Sequence, residues 1–232
     1  MTTEHEFIER CNSTIEDAEA VACITRDISL QEEALEALES LSRVVAEEKA
    51  RAIEAENERW ANLLLGYECA IDVVKSELRM WMLLKSSHPN DAWDQLVIAQ
   101  TAALAAVRAD AGFAHAALIY KRLEAIEHLV FPPQVFISSG FIVGRQECSI
   151  CGMEYGDCDH LKGEPYMGRF CQIVMRDLTA DHVAIVKHPR DKRCRVTQFS
   201  VPGGNRDRMT WKTTPSAKPV KDGQMTASVR FV

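Results

Sequence analysis

The chain has 232 residues, of which 47% are hydrophobic and 26% are charged, and its formal net charge at pH 7 is −7. A chain of this length and apolar content can bury a core in one or two domains, which excludes an intrinsically disordered protein. Its longest stretch without a formal charge, residues 128–144, contains two prolines and two glycines and therefore cannot form a membrane-spanning helix.

The eight cysteines fall into two groups. Four lie close together between positions 148 and 171, and the other four are scattered through apolar surroundings at Cys11, Cys23, Cys69 and Cys194. Residues 1–6 contain neither the basic nor the apolar segment of a secretory signal. Free thiols without such a signal are typical of a reducing compartment, so we expect a soluble, cytoplasmic protein.

Helical periodicity dominates the first 131 residues. Apolar residues spaced by three and four predict a first helix over residues 3–25. Ser29 and Glu32 form a capping-box pattern that predicts the start of a second helix near Leu30. No proline interrupts this helix before Pro89, so it could run for almost sixty residues. Residues 47–59 lose the apolar stripe, and we interpret them as a solvated arm or a partner-facing segment.

A heptad seam follows in the same helix. Its apolar positions alternate in steps of four and three: Trp60, Leu64, Tyr67, Ile71, Val74, Leu78 and Trp81. A turn at Pro89 and a cap at Asn90 or Asp91 introduce a third helix, which Pro132 and Pro133 end. Two long helices joined by a short turn lie antiparallel. We therefore expect a long helical hairpin with the first helix packed alongside, three helices in all.

The spacing of cysteine and histidine after residue 147 predicts a metal site. Cys148 and Cys151 form a Cys-x2-Cys pair, and Cys158 and His160 follow as Cys-x-His, which gives four soft or borderline ligands within thirteen residues. A structural zinc ion requires four such ligands in a tetrahedron. Gly152 supports the interpretation, because a tight turn directly after the second cysteine favours glycine. The sequence therefore predicts one structural Zn²⁺.

Cys171 is a further candidate that either replaces one ligand or packs as a small apolar side chain, and packing is the preferred interpretation. The run from Cys148 to Cys171 has the pattern Cys-x2-Cys-Gly-x5-Cys-x-His-x2-Gly-x2-Tyr-x-Gly-x2-Cys. Over about residues 147–191 it resembles a zinc-containing segment of tailed-phage head-maturation proteins and of uncharacterised bacterial proteins. The resemblance implies a bacterial or phage origin and the same four ligands. It implies no protease activity, because the phage proteins carry their protease residues upstream, where this chain is helical.

The predicted fold is mainly α with a small β part. Residues 1–131 are expected to form the helical domain, residues 132–146 an extended linker, and residues 147–232 an antiparallel β module clipped by zinc. Its strands are predicted at residues 170–175, 182–187, 195–201, 209–213 and 226–232, separated by segments rich in proline and glycine.

Charge is distributed unevenly along the chain. Residues 1–140 carry a net charge of −12, residues 141–186 carry −3 and residues 187–232 carry +8. The basic C-terminal part suggests an anionic partner, either nucleic acid or an acidic protein surface, although a solvated β surface would have the same composition. Phosphate contacts would come from five residues near Trp211: Lys187, Arg190, Lys192, Arg193 and Arg195.

Motifs typical of an enzyme are missing from the sequence. It has no His-Glu-x-x-His, no Walker lysine loop, no dinucleotide glycine fingerprint and no Gly-x-Ser-x-Gly elbow. We therefore predict a non-enzymatic scaffold, adaptor or accessory subunit of a bacterial or phage multi-protein complex. The helical part would serve oligomerisation or docking, and the zinc module would contact a protein partner. Two alternatives stay open: a nucleic-acid-binding zinc protein and a zinc-dependent hydrolase.

Overall fold

The computed structural model describes residues 3–22, 25–215 and 223–228. Within these residues the chain is mainly α-helical with an antiparallel β part, which confirms the predicted fold class at this level. The helices of this described part are α1 (Glu4–Ala20), α2 (Ile28–Glu54), α3 (Glu58–Lys85), α4 (Pro89–Ala109) and α5 (Ala116–Val130).

The long second helix of the prediction is two helices. Glu56 adopts a left-handed backbone with φ of 52°, and the side chain of Asn57 accepts the Trp60 amide at 3.2 Å to cap α3. Because a non-glycine residue in this conformation cannot continue an α-helix, the chain turns between α2 and α3. The start of α2 also differs, since Asp27 rather than Ser29 is its cap.

The predicted third helix is likewise divided. α4 ends before Asp110, whose carboxylate accepts the Gly112 amide at 2.7 Å and caps a single 3₁₀ turn that leads into α5. The described helices therefore number five, where the sequence predicted three. In both places a short polar side chain offers the backbone a local hydrogen bond that competes with the helix.

α3 lies at the centre of the helical part and is buried on several sides. One apolar cluster joins it to α1 and α2, and a second joins its C-terminal half to α4, α5 and the sheet. The predicted heptad seam is used inside the chain, because these of its residues are buried: Trp60, Leu64, Tyr67, Ile71, Val74 and Leu78. None of the described helices is both long and apolar enough to cross a membrane.

The sheet order is β4-β1-β5-β6-β7, and β8 also pairs with β5. The strands are β1 (Phe136–Cys148), β2 (Pro165–Tyr166), β3 (Arg169–Phe170), β4 (Ile173–Val186), β5 (Arg195–Val201), β6 (Gly204–Asp207), β7 (Thr213–Pro215) and β8 (Met225–Ser228). β2 and β3 form a separate hairpin. Of the predicted final strand, residues 229–232 lie outside the described residues, as does Cys23.

β1 and β4 form a long two-stranded ribbon. Their antiparallel register runs from Phe136 opposite Val186 to Cys148 opposite Ile173, whereas β1 meets β5 only at Phe136. The segment predicted as a linker thus forms most of β1. Two of the predicted strands fall on the single strand β4, which contains residues 173–175 of the first (170–175) and residues 182–186 of the second (182–187). The ribbon carries the predicted metal ligands at the end remote from β5.

Arg195 joins the helices to the sheet. Its side chain is 2% exposed and donates hydrogen bonds to Asn90 at 2.7 Å and to Gln134 at 3.3 Å. Its guanidinium also lies 5.7 Å from the ring centre of Trp93, whose indole N–H donates to the Lys192 carbonyl at 3.0 Å. Burial lowers the pKa of Arg195, because the charged form loses hydration.

Candidate metal centre

The four predicted metal ligands lie together at the junction between β1 and β4. The sulfur atoms of Cys148, Cys151 and Cys158 and a ring nitrogen of His160 are all within 4.8 Å of one another. Ligands bound to a tetrahedral zinc ion at about 2.3 Å are separated by about 3.8 Å. The arrangement is therefore compatible with a single structural zinc ion.

The first pair of ligands belongs to a turn at the end of β1. The amide of Gly152 donates to the Cys148 carbonyl at 2.8 Å, and the amide of Ile150 donates to the Cys148 sulfur at 3.4 Å. Gly152 has φ of +75°, and a Cβ there would meet nothing within 4 Å. Glycine is favoured at this position by the left-handed backbone rather than by close approach of another atom.

Two tyrosine hydroxyls order the loop that carries the second pair of ligands. The Tyr166 hydroxyl accepts the Leu161 amide at 2.9 Å, and the Tyr155 hydroxyl accepts the Lys162 amide at 2.9 Å. The ring of Tyr166 also packs edge-on against His160, with ring centres 4.7 Å apart. These contacts fix the backbone directly after His160 and orient its imidazole.

One further observation shows that these four side chains fit a metal ion. Nδ1 of His160 is buried and has no hydrogen-bond partner among the described residues. A buried polar atom without a partner is unfavourable, and a bound cation would remove the deficit. When bound, zinc would supply the positive charge that holds three sulfurs and one imidazole together. Cys148, Cys151, Cys158 and His160 are the residues that would hold it.

Cys171 stands directly beside this group. Its sulfur lies 3.7 Å from that of Cys148, and both side chains are 1% exposed. The Cys171 amide donates to the Glu164 carbonyl at 2.9 Å, and its own carbonyl accepts the Gly163 amide at 2.8 Å. These bonds hold Cys171 next to the four ligands. This position fits both of its predicted roles, as a metal ligand or as a packed apolar side chain.

The electrostatics of the cluster favour one thiolate. Burial opposes ionisation of Cys148, but the amides of Cys151 and Ile150 together with the neighbouring thiols outweigh it and lower its pKa to about 6. Burial and the nearby Cys148 sulfur raise the pKa of Cys171 to about 11, and they also raise that of Cys158. A cation in the centre would relieve this mutual repulsion between sulfurs.

The β2–β3 hairpin fastens the ligand loop to the helices. At its tip, the amide of Gly168 donates to the Asn62 side chain at 2.8 Å, and that of Met167 donates to Glu58 at 3.2 Å. Lys49 donates to the Gly168 carbonyl and also forms an ion pair with Glu68. Lys49 and Glu58 fall within the stretch interpreted from sequence as a solvated or partner-facing arm. The structure uses both residues to hold the hairpin.

The five basic residues predicted to contact phosphate are not equivalent. Lys192 forms an ion pair with Glu127 at 2.7 Å, Arg193 pairs with Asp191 at 2.7 Å, and Arg195 is buried at the junction described above. Lys187 and Arg190 are exposed. Trp211, expected beside them, is 59% exposed and packs edge-on against Phe199.

Comparison of the chain with protein families, with curated proteins and with solved structures found no match. The resemblance of residues 147–191 to a phage zinc segment therefore stays a prediction.

Proposed function

We propose that this chain is a non-enzymatic scaffold or adaptor whose β part is organised by one structural zinc ion for contact with another protein. The observation that carries the proposal is the convergence of four ligand atoms within 4.8 Å at one end of the β1–β4 ribbon. The ligands come from two turns, so a shared ion would tie the loop between β1 and β4 into one rigid unit.

The donor set favours a structural role for the ion. A catalytic zinc keeps one coordination position for water or substrate, whereas three thiolates and one imidazole complete a tetrahedron. The Cys171 sulfur, 3.7 Å from that of Cys148, adds a fifth donor rather than an open position. Hydrolysis at this ion is accordingly not part of the proposal.

The contact surface that we propose is the ribbon rather than the helices. The apolar residues of the helical seam are buried by packing within the chain, so they are not exposed to a partner. The exposed leucines of α5, Leu118 and Leu129, are separated by about 16 Å along the helix axis. On the ribbon, Val183 and Ile185 are 66% and 65% exposed and stand two residues apart. Clustered exposed apolar side chains mark interaction surfaces more often than scattered ones do.

Nucleic-acid binding is the less favoured function. Lys192, Arg193 and Arg195 are engaged in contacts within the chain. Lys187 and Arg190 remain exposed from the predicted set, and two phosphate contacts supply little affinity. We also propose that the chain belongs to a bacterial or phage multi-protein complex. The resemblance of residues 147–191 to phage and bacterial segments supports this part of the proposal.

Elemental analysis of full-length protein purified without chelators tests the proposal. We expect one zinc per chain in the wild type and a loss of zinc in Cys148→Ser, Cys151→Ser, Cys158→Ser and His160→Ala. Cys171→Ser is the matched control and should keep one zinc, because four ligands remain.

Wild-type protein without stoichiometric zinc would contradict the proposed function. Another result would keep the structural zinc ion but change its ligands: Cys171→Ser loses zinc while His160→Ala keeps full occupancy. That pair of results would instead replace His160 by Cys171 in the ligand set.

A further inference from the structure

β4 presents an open edge at the end of the ribbon remote from the metal centre. Among the described residues it pairs with β1 alone, so the opposite edge of residues 182–186 carries backbone N–H and C=O groups that no described strand engages. An open edge with exposed apolar side chains is a template for pairing with another strand. Val183 and Ile185 supply such side chains on one face of β4.

A bulge limits how far pairing along this edge could extend. The register with β1 shifts between Gly140 and Phe141, where Gly140 faces His182 and Phe141 faces Ala180, so Asp181 is the extra residue of β4. A bulge bends the strand and interrupts a regular ladder. The regular part of the edge therefore begins at His182 and continues to Val186, the last residue of β4.

The sequence of this segment is complementary to itself when it is reversed. It runs Asp181, His182, Val183, Ala184, Ile185, Val186, Lys187, with an acid at one end and a base at the other; the residues between them are apolar except for His182. Two antiparallel copies related by a two-fold axis at Ala184 would set Val183 opposite the partner's Ile185. Just outside the regular ladder, Asp181 of each copy would lie near the partner's Lys187, so an acid meets a base twice per pair. In the single chain the Asp181 carboxylate lies 2.9 Å from the His182 ring.

We propose that the occupant of this edge is a second copy of the chain, paired antiparallel through β4 about Ala184. The two ribbons then form one continuous four-stranded sheet, in the order β1-β4-β4-β1, and Val183 of each copy packs beside Ile185 of the other. Opposite charges at both ends fix the register, since a slip of two residues would remove both ion pairs. The proposal rests on the proposed role as an interaction protein and names its partner.

The metal centre stays outside this interface. The ligands lie near the pair formed by Cys148 and Ile173, whereas the pairing segment lies beside Phe136 and Val186 at the other end of the ribbon. Twelve strand residues separate the two ends, which corresponds to about 40 Å. Self-pairing and zinc binding can therefore be measured separately on the same protein.

Light scattering after size-exclusion chromatography of zinc-loaded, full-length protein over a wide range of concentrations tests the proposal. Wild-type protein should pass from monomer to dimer as its concentration rises. Asp181→Lys and Lys187→Asp should each weaken the dimer roughly tenfold, because each variant places like charges opposite each other twice. The double variant Asp181→Lys with Lys187→Asp should restore the dimer, since the charge pairs are then re-formed with exchanged signs.

Val183→Lys should abolish the dimer. Ile142→Lys is the matched control, because Ile142 is 63% exposed and lies on the opposite face of the ribbon, on β1, and it should leave the dimer unchanged. A wild-type protein that stays monomeric at every concentration would overturn the proposal, as would a charge exchange that fails to restore pairing. Zinc is measured in the same samples: a monomer with one zinc overturns self-pairing alone, whereas zinc-free protein contradicts the proposed function.

Discussion

The helical part and the β1–β4 ribbon use their apolar residues in opposite ways. In the helices, residues such as Leu38, Leu64 and Leu78 are completely buried against neighbouring helices of the same chain. In the ribbon, Val183 and Ile185 remain about two-thirds exposed. A helix bundle can satisfy its own apolar faces, whereas a two-stranded ribbon has too few neighbours to cover both faces and both edges. The helices therefore bury the larger part of the apolar core, whereas the ribbon leaves apolar side chains exposed to solvent.

Loss of the proposed zinc ion should produce the largest effect on stability, and that effect should be confined to the β ribbon and its ligand loop. Structural zinc contributes on the order of 10 kcal/mol to the folding of small metal-dependent units. In Cys148→Ser, hydrogen exchange should show lost protection around residues 148–173, whereas α2, α3 and α4 keep theirs. Simultaneous loss of protection in the helices would show that the helical part also depends on the ion.

A cavity in the helical core tests whether the buried helical residues stabilise the fold. Leu38→Ala removes a side chain that is completely buried in the apolar cluster of α1, α2 and α3, and the free energy of unfolding should fall by about 3 kcal/mol. Leu129→Ala is the matched control, since that side chain is 86% exposed and its loss should change stability by less than about 0.5 kcal/mol. Urea unfolding followed by circular dichroism measures both, and zinc content should not change in either variant.

Arg195, on β5, contributes to the contact between the helical part and the sheet from which the ribbon extends. Arg195→Ala leaves Asn90 and Gln134 without their donor and removes the cation above Trp93, so stability should fall by about 2–3 kcal/mol. Arg190→Ala removes an exposed charge and should cost less than about 0.5 kcal/mol. Equal losses of stability in the two variants would contradict the buried position of Arg195.

Two glycines with left-handed backbones give a finer test of the hairpin that fastens the ligand loop. Gly168 and Gly203 have φ of +72° and +93°, so alanine at either position is strained by about 1–2 kcal/mol. Of the two, only Gly168 would bring the added Cβ against neighbours, the Lys49 side chain at 3.1 Å and the Ala61 carbonyl oxygen at 3.3 Å. Gly168→Ala should therefore be more destabilising than Gly203→Ala and should increase proteolysis of the β2–β3 hairpin. Identical behaviour would show that the contact with Lys49 does not hold the hairpin.

The last expected effect is absent at neutral pH and appears only at alkaline pH. Burial raises the pKa of the Cys69 thiol from 9.0 to about 12 and that of the Cys11 thiol to about 11. The unfolded chain releases these protons first, so stability should be constant with respect to these groups below pH 9.0 and should fall as pH rises toward 11 and 12. Cys69→Ala should flatten part of this decline in unfolding experiments between pH 8 and 11. An unchanged slope would show that Cys69 is not buried as a neutral thiol.

The cluster of four candidate metal ligands was the most predictable feature, for a local reason. Its four ligands fall within thirteen residues, so turn geometry alone brings them together and no distant contact is needed. The buried helical seam was predictable because its period directly records which face is apolar. The helix breaks were not, since Glu56 and Asp110 resemble ordinary solvated residues of a helix in sequence.

The role of each charged residue was the least predictable feature. Arg195 reads as part of a basic run, yet the fold buries it against Asn90, and Lys49 reads as a surface residue although it holds the β2–β3 hairpin. Local spacing is enough to specify the periodic helices and a compact ligand set, because those depend on residues close together in the chain. Which cations are buried, and which apolar residues are left exposed on β4, depends on elements up to about a hundred residues apart, and only their packing settles it.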